Sequence, residues 1–255
     1  MQEDSHNVGP VCNRTSQDQS HDRPQSVGLQ TRPTEDAPFR GLDRKSPIAA
    51  YSRHMPHWRQ DGVFYFVTFR LADSIPRTVL EEWAEQDRVW LAARGITEAL
   101  PEPERQARYA ALPETERRAF ERDLAHRLFV ELDRCHGSCL LRQAAVAGLV
   151  SQAIRFHHGT RIDCGDYVVM PNHVHWLLRP HPGEALESIL HSVKRFSASQ
   201  INRHVERSGT LWQRESYDHI VRDEPEFERI RSYIEQNPKK ANLKSGEYVY
   251  YRAET

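Results

Sequence analysis

Four residues of this 255-residue chain have types and spacings suited to metal-assisted chemistry. His173 and His175 flank Val174 in HVHWLLRP (173–180), which reads as a β-strand. Side chains alternate along a strand, so both imidazoles leave the same face, about 7 Å apart at Cα. Such a pair is half of a metal site, and two unrelated strand histidines fit the same spacing. Tyr233 and Asn237 are four residues apart in a helical segment and so neighbours on one face. There a phenol can act as nucleophile and an amide oxygen as a third ligand. Alternatively, Tyr233 packs beside Ile230 and Ile234, and Asn237 closes the helix before Pro238. Spacing alone leaves both readings open.

The surrounding elements decide whether these residues can meet. GVFYFVTFRLA (62–72) is rich in β-branched and aromatic residues and predicts a first core strand. A helical insertion follows over about 75–134, with one helix in RTVLEEWAEQDRVWLAARG, then a Pro/Glu-rich stretch, then a second helix in PETERRAFERDLAHRLFVELDRC. LLRQAAVAGLVSQAIRFHHG predicts a single helix ending near Gly159. RIDCGDYVVM (161–170) and HVHWLLRP are strands joined through Pro171 and Asn172, a hairpin signal. Residues 184–209 form an amphipathic helix, with Leu186, Ile189, Leu190, Val193 and Phe196 on one face. LWQRESYDHIVRD (211–223) is a further strand. Asp223 as N-cap, Pro225 in the first turn and Glu226 three after the cap start a last helix, which Pro238 should end close to Asn237. The order is that of an α+β, ferredoxin-like (RRM-like) split βαββαβ antiparallel sheet, with the helical insertion and an added C-terminal tyrosine-bearing helix.

Composition narrows the functional classes. Residues 1–50 are polar and aperiodic and are expected to be a disordered N-terminal tail, residues 51–245 a single domain, and residues 246–255 a C-terminal tail. No apolar run spans a bilayer and the N-terminus lacks secretory features, so no membrane partner is expected and the cytoplasm is the expected compartment. Net charge is −1, and the excess of acid sits in residues 80–134, with 9 basic and 13 acidic residues. The four cysteines are too few and irregular for a disulfide scaffold. CHGSC (135–139) lacks the second ligand pair of a zinc site, so a turn of small residues before a helix is the preferred reading.

MPNHVHWLL preceded by DYVV, then SVKRFSASQINR, then GTLWQRESYDHIVRDEPEFERIRSYIEQNPKKANL, resembles the single-tyrosine HUH transposases, specifically the REP-associated tyrosine transposase branch. The resemblance covers about residues 47–245 and includes LDRCHGSCLL. It implies that His173, His175 and Asn237 hold Mg²⁺ or Mn²⁺ and that Tyr233 is the nucleophile. Tyr217, in the strand segment, is the rival not favoured. It further implies a transposase-type endonuclease and strand transferase that cuts and rejoins single-stranded, hairpin-forming REP-like DNA through a 5′-phosphotyrosine intermediate. The protein would be a bacterial, nucleoid-associated monomer or homodimer. Lys194, Arg195, Arg203, Arg214, Lys239, Lys240 and Lys244 are candidate phosphate contacts, and Trp176 or Trp212 candidate base-stacking platforms. The alternative function is a regulatory protein that binds DNA hairpins without cutting them.

Overall fold

The computed structural model describes residues 39–43, 49–52 and 56–254, so most of the expected N-terminal tail lies outside the described residues. The end of that expected tail is packed: Phe39 lies 5.2 Å from the Phe227 ring, and the Leu42 amide donates to Val221 O at 3.0 Å. A short hairpin, β1 (Ala49–Ser52) and β2 (Pro56–Arg59), precedes the first core strand, β3 (Tyr65–Arg70). The insertion holds three helices, α1 (Arg77–Ala92), α2 (Glu102–Ala111) and α3 (Glu114–Asp133). The sequence reading had only a Pro/Glu-rich stretch where α2 forms. Pro101 as N-cap, Pro103 in the first turn, and Glu102 and Glu104 at the positive end of the dipole start that helix.

A 3-10 turn at Leu140–Arg142 precedes α4 (Ala144–Arg155), splitting the single helix expected there. Before that turn, Cys135 and Cys139 pair through their sulfurs, so the CHGSC segment is closed on itself rather than an unlinked turn. Then come β4 (Ile162–Val169), β5 (His173–Pro180), α5 (Leu186–His204), β6 (Tyr217–Ile220), α6 (Glu224–Lys240) and β7 (Val249–Tyr251). The five-stranded sheet is antiparallel with order β6-β3-β5-β4-β7. Without β7 this is the order expected for the split βαββαβ core. β7 lies within the segment expected to be a C-terminal tail; it pairs with β4, and Tyr251 stacks on Tyr167 at 5.0 Å.

Two other expectations change. The strand placed over 211–223 is only four residues long, because Trp212 instead bridges to Leu71 and is buried in the core. α6 continues two residues past Pro238, to Lys240: the proline removes only its own N–H, and Ala241 N still donates to Asn237 O at 3.0 Å.

Alternation sorts β3 and β5 onto two cores. Val67, Phe69, Val174 and Trp176 face α4 and α5, whereas Phe66 and Leu177 face Ile234 of α6. α6 starts as expected, with the Asp223 carboxylate accepting from Glu226 N at 2.8 Å. Deeper in, Arg231 Nε lies 3.1 Å from Asp166 Oδ2 of β4, both side chains almost fully buried, and Asp166 Oδ1 accepts from Ala253 N at 3.0 Å. Removing one partner of such a pair strands the other without compensation. Arg231→Ala is expected to cost about 3–5 kcal/mol in urea unfolding, and Arg231→Met with Asp166→Leu to recover most of it. A loss under about 1 kcal/mol for Arg231→Ala would show that apolar packing alone holds α6.

Candidate active site

Because β5 pairs with β3 in the register Arg70↔His173 and Thr68↔His175, both histidines and their cross-strand partners emerge on the α6 face. His173 is 1% exposed and His175 is fully buried. Burial penalises the imidazolium and lowers the His173 pKa to about 3; the same burial, reinforced by His173, takes His175 well below its ordinary value. Both rings are therefore neutral, each with one nitrogen available as a lone-pair donor.

Neighbouring side chains select that nitrogen. Asn172 Nδ2 donates to Leu132 O at 3.2 Å, which turns its Oδ1 toward His173 Nδ1 at 2.7 Å. An amide oxygen only accepts, so Nδ1 carries the proton and Nε2 the lone pair. Thr68 Oγ1 lies 2.7 Å from His175 Nδ1 and orients the second ring. The two Nε2 atoms converge at 3.0 Å.

The tyrosine helix meets this point within the same chain. Tyr233 Oη is 3.2 Å from His175 Nε2. One turn later Asn237 is 1% exposed, and its Oδ1 is buried without a hydrogen-bond partner among the described residues. Burial raises the Tyr233 pKa, the charge of Asp133 adds to the rise, and the Asn237 amide opposes it by favouring the phenolate. Phe66 stacks on His175 at 5.5 Å, and Phe129 of α3 meets His175 edge-on at 5.4 Å and Tyr233 at 6.0 Å. The insertion thus supplies a wall of the site. A cavity of about 660 Å³ opens against Phe66, Phe129 and Tyr217.

The residues singled out by spacing, His173, His175, Tyr233 and Asn237, come together here. Tyr217 sits nearby, edge-on to Phe129 at 5.3 Å, with its pKa raised by burial and no hydrogen bond to either histidine among the described residues. Lys240 joins the cluster, with Nζ 5.1 Å from the Tyr233 ring centroid. Lys239 and Arg214 are exposed, and so are Arg195 and Arg203 on α5, the helix that packs on the opposite face of the sheet. Trp212 is a correction: it is 5% exposed, donates Nε1–H to Ser197 Oγ at 3.0 Å and packs edge-on against Phe69, so its faces are taken by the core. Trp176 is likewise fully buried. Thr68, Asn172, Phe66 and Phe129 were not foreseen. Asn172 was visible beside the histidines but read as turn punctuation, and Thr68 becomes recognisable only through strand register.

Residues 151–237 match the family described as Transposase IS200 like. The chain resembles the IS200-like transposases. The matched segment runs from α4 through β4, β5, α5 and β6 to Asn237, and so includes all four clustered residues. An uncharacterized protein of Haemophilus influenzae is 30% identical over an alignment covering 32% of this chain, which spans 57% of that relative's length. Among solved structures, a REP-associated tyrosine transposase bound to a REP hairpin aligns over 74% of each chain with a TM-score of 0.37 and 13% identity.

The donor set of the IS200-like segment suits a divalent ion. Two neutral imidazole nitrogens converge beside an unpartnered amide oxygen, although among the described residues no group of three His, Cys, Asp or Glu side chains is clustered. Residues that orient ligating imidazoles typically contribute about 10–100-fold to metal affinity. Thr68→Val is therefore expected to weaken Mn²⁺ binding in isothermal titration calorimetry by about that factor, and His173→Ala to abolish it. Equal binding by all three proteins would mean the ion sits elsewhere.

Proposed function

We propose that this chain is a single-tyrosine transposase-type endonuclease and strand transferase acting on single-stranded DNA with REP-like hairpins. The observation that carries the reading is the Tyr233 hydroxyl 3.2 Å from His175 Nε2, at the point where the Nε2 atoms of His173 and His175 converge. The hairpin substrate and the REP-associated branch rest on the sequence motifs. A protein with this chemistry works at the bacterial nucleoid.

Tyr233 Oη attacks the scissile phosphorus; a phosphotyrosyl bond forms to the 5′ side and the P–O3′ bond breaks. The proton leaving the phenol ends on the 3′-hydroxyl, so atoms and charge balance. Because the ester stores the bond, a 3′-hydroxyl can reverse the step and rejoin strands. Burial keeps the phenol protonated at neutral pH, so the attack needs its anion to be favoured locally, which the Asn237 amide does. A Mg²⁺ or Mn²⁺ ion held by His173 Nε2, His175 Nε2 and Asn237 Oδ1 would polarise a phosphate oxygen and neutralise charge on the leaving oxygen. Phe66 and Phe129 pack against the Tyr233 ring and hold it toward the histidines. The cavity against Tyr217 and Phe129 gives an unpaired base aromatic surface to stack on, and Lys239, Lys240 and Arg214 offer cations to the backbone.

Incubating the full chain with hairpin oligonucleotides and Mn²⁺ is expected to give a covalent protein–DNA band on a denaturing gel. Tyr233→Phe and His175→Ala should lose at least about 10³-fold of adduct, and Tyr217→Phe should retain it. Hairpin retention with no adduct for any flanking sequence would instead favour the non-cleaving regulator.

A further inference from the structure

Beside the histidine pair lies a buried cation, Arg70, and a half-buried one, Lys194, reaches the neighbouring loop. Arg70, the last residue of β3, is the cross-strand partner of His173, so its side chain leaves the sheet on the same face. It is 8% exposed, yet its guanidinium makes only two weak contacts, from Nη1 to Ser74 Oγ at 3.2 Å and to Leu71 O at 3.4 Å. Its Nε and Nη2 have no protein acceptor among the described residues. The loop before β6 closes over this end of the strand, with Gln213 N donating to Arg70 O at 2.9 Å. Lys194 of α5 reaches the same loop, donating from Nζ to Arg214 O and Ser216 Oγ, each at 3.0 Å.

Among the described residues, neither cation has a carboxylate within the 4.0 Å of an ion pair. Glu215, in the same loop, is the acid whose field reaches both. Burial lowers the Arg70 pKa to about 10; burial, helped by the charge of Arg70, lowers Lys194 to about 8. A buried guanidinium without a paired carboxylate is costly, and a half-buried ammonium nearby adds to that cost, unless an anion arrives. Guanidinium presents a planar fork of donors matched to phosphate oxygens, and the ammonium adds a point charge with a donor to spare.

We propose that Arg70 and Lys194 form a phosphate pocket that grips the DNA backbone phosphate adjoining the one attacked by Tyr233. The proposal rests on the strand-transfer reading for its ligand, and it assigns Arg70 the role of a positioning residue. With the strand held at a neighbouring phosphate, the scissile phosphorus is set in register with the phenol rather than free to slide.

The test measures hairpin binding by full-length Tyr233→Phe protein, which does not cleave, across 50–200 mM salt. Each phosphate contact contributes about 0.7–0.9 to the slope of log affinity against log salt. Arg70→Gln and Lys194→Gln should each lower that slope by about one, and the two together by about two. Arg70→Lys, which keeps the charge, should keep the slope while losing affinity. A single neutral methylphosphonate next to the cleavage position should lower the slope when Arg70 is present and leave it unchanged in the Arg70→Gln, Lys194→Gln double variant. If Arg70→Gln fails to fold, Lys194→Gln and the methylphosphonate carry the test. Unchanged slopes in folded variants, with hairpins still bound, overturn the pocket and leave the strand-transfer reading standing. If hairpins are not retained at all, that reading falls, and the pocket is judged by inorganic phosphate, whose thermal stabilisation of the protein must vanish in Arg70→Gln.

Discussion

The site depends on one constraint, that two imidazoles must sit buried on the sheet face that packs against α6. Buried rings stay neutral, so each must hold one nitrogen on a fixed partner and turn the other toward the site. Thr68 and Asn172 are those partners, and their positions follow from the β3–β5 register and the tight turn before His173. A one-residue slip of β5 would send both histidines into the layer beneath α4 and α5 and bring Val174 to the surface where Tyr233 arrives.

The second requirement is a helix that arrives at the right height. α6 is held at its start by the Asp223 and Glu226 cap, in its middle by the Arg231–Asp166 pair, and along its length by Ile234 against the sheet. Tyr233 sits between the last two anchors, which leaves its ring little freedom. α3 closes the other side, so the insertion that sets this chain apart from a bare split βαββαβ core is built into the wall around the nucleophile through Phe129.

Much of this was legible in the sequence, because local signals and global topology agree. The strand alternation in HVHWLLRP and the four-residue spacing of Tyr233 and Asn237 name the clustered residues, and the cap at Asp223 places the helix that carries two of them. What stayed hidden depends on pairing between distant segments. Thr68 is an ordinary strand residue until β3 is set against β5. Trp212 has the composition of a stacking platform, and only its bridge to Leu71 turns it inward. β7 follows the segment with the strongest motifs, and its three residues carry too little pattern to announce a strand. α2 lies in a Pro/Glu-rich stretch without an apolar period, and its prolines, placed at the cap and first turn, start the helix.

The Asp166 carboxylate has a consequence of its own. One oxygen holds Arg231 of the tyrosine helix and the other holds the backbone at Ala253, just past β7. The outermost strand and the nucleophile therefore share a single point of mechanical support, set apart from the chemistry itself. A change in the backbone near residue 253 therefore removes one of the two partners of the carboxylate that anchors the tyrosine helix, which ties this end of the sheet to the mounting of the nucleophile.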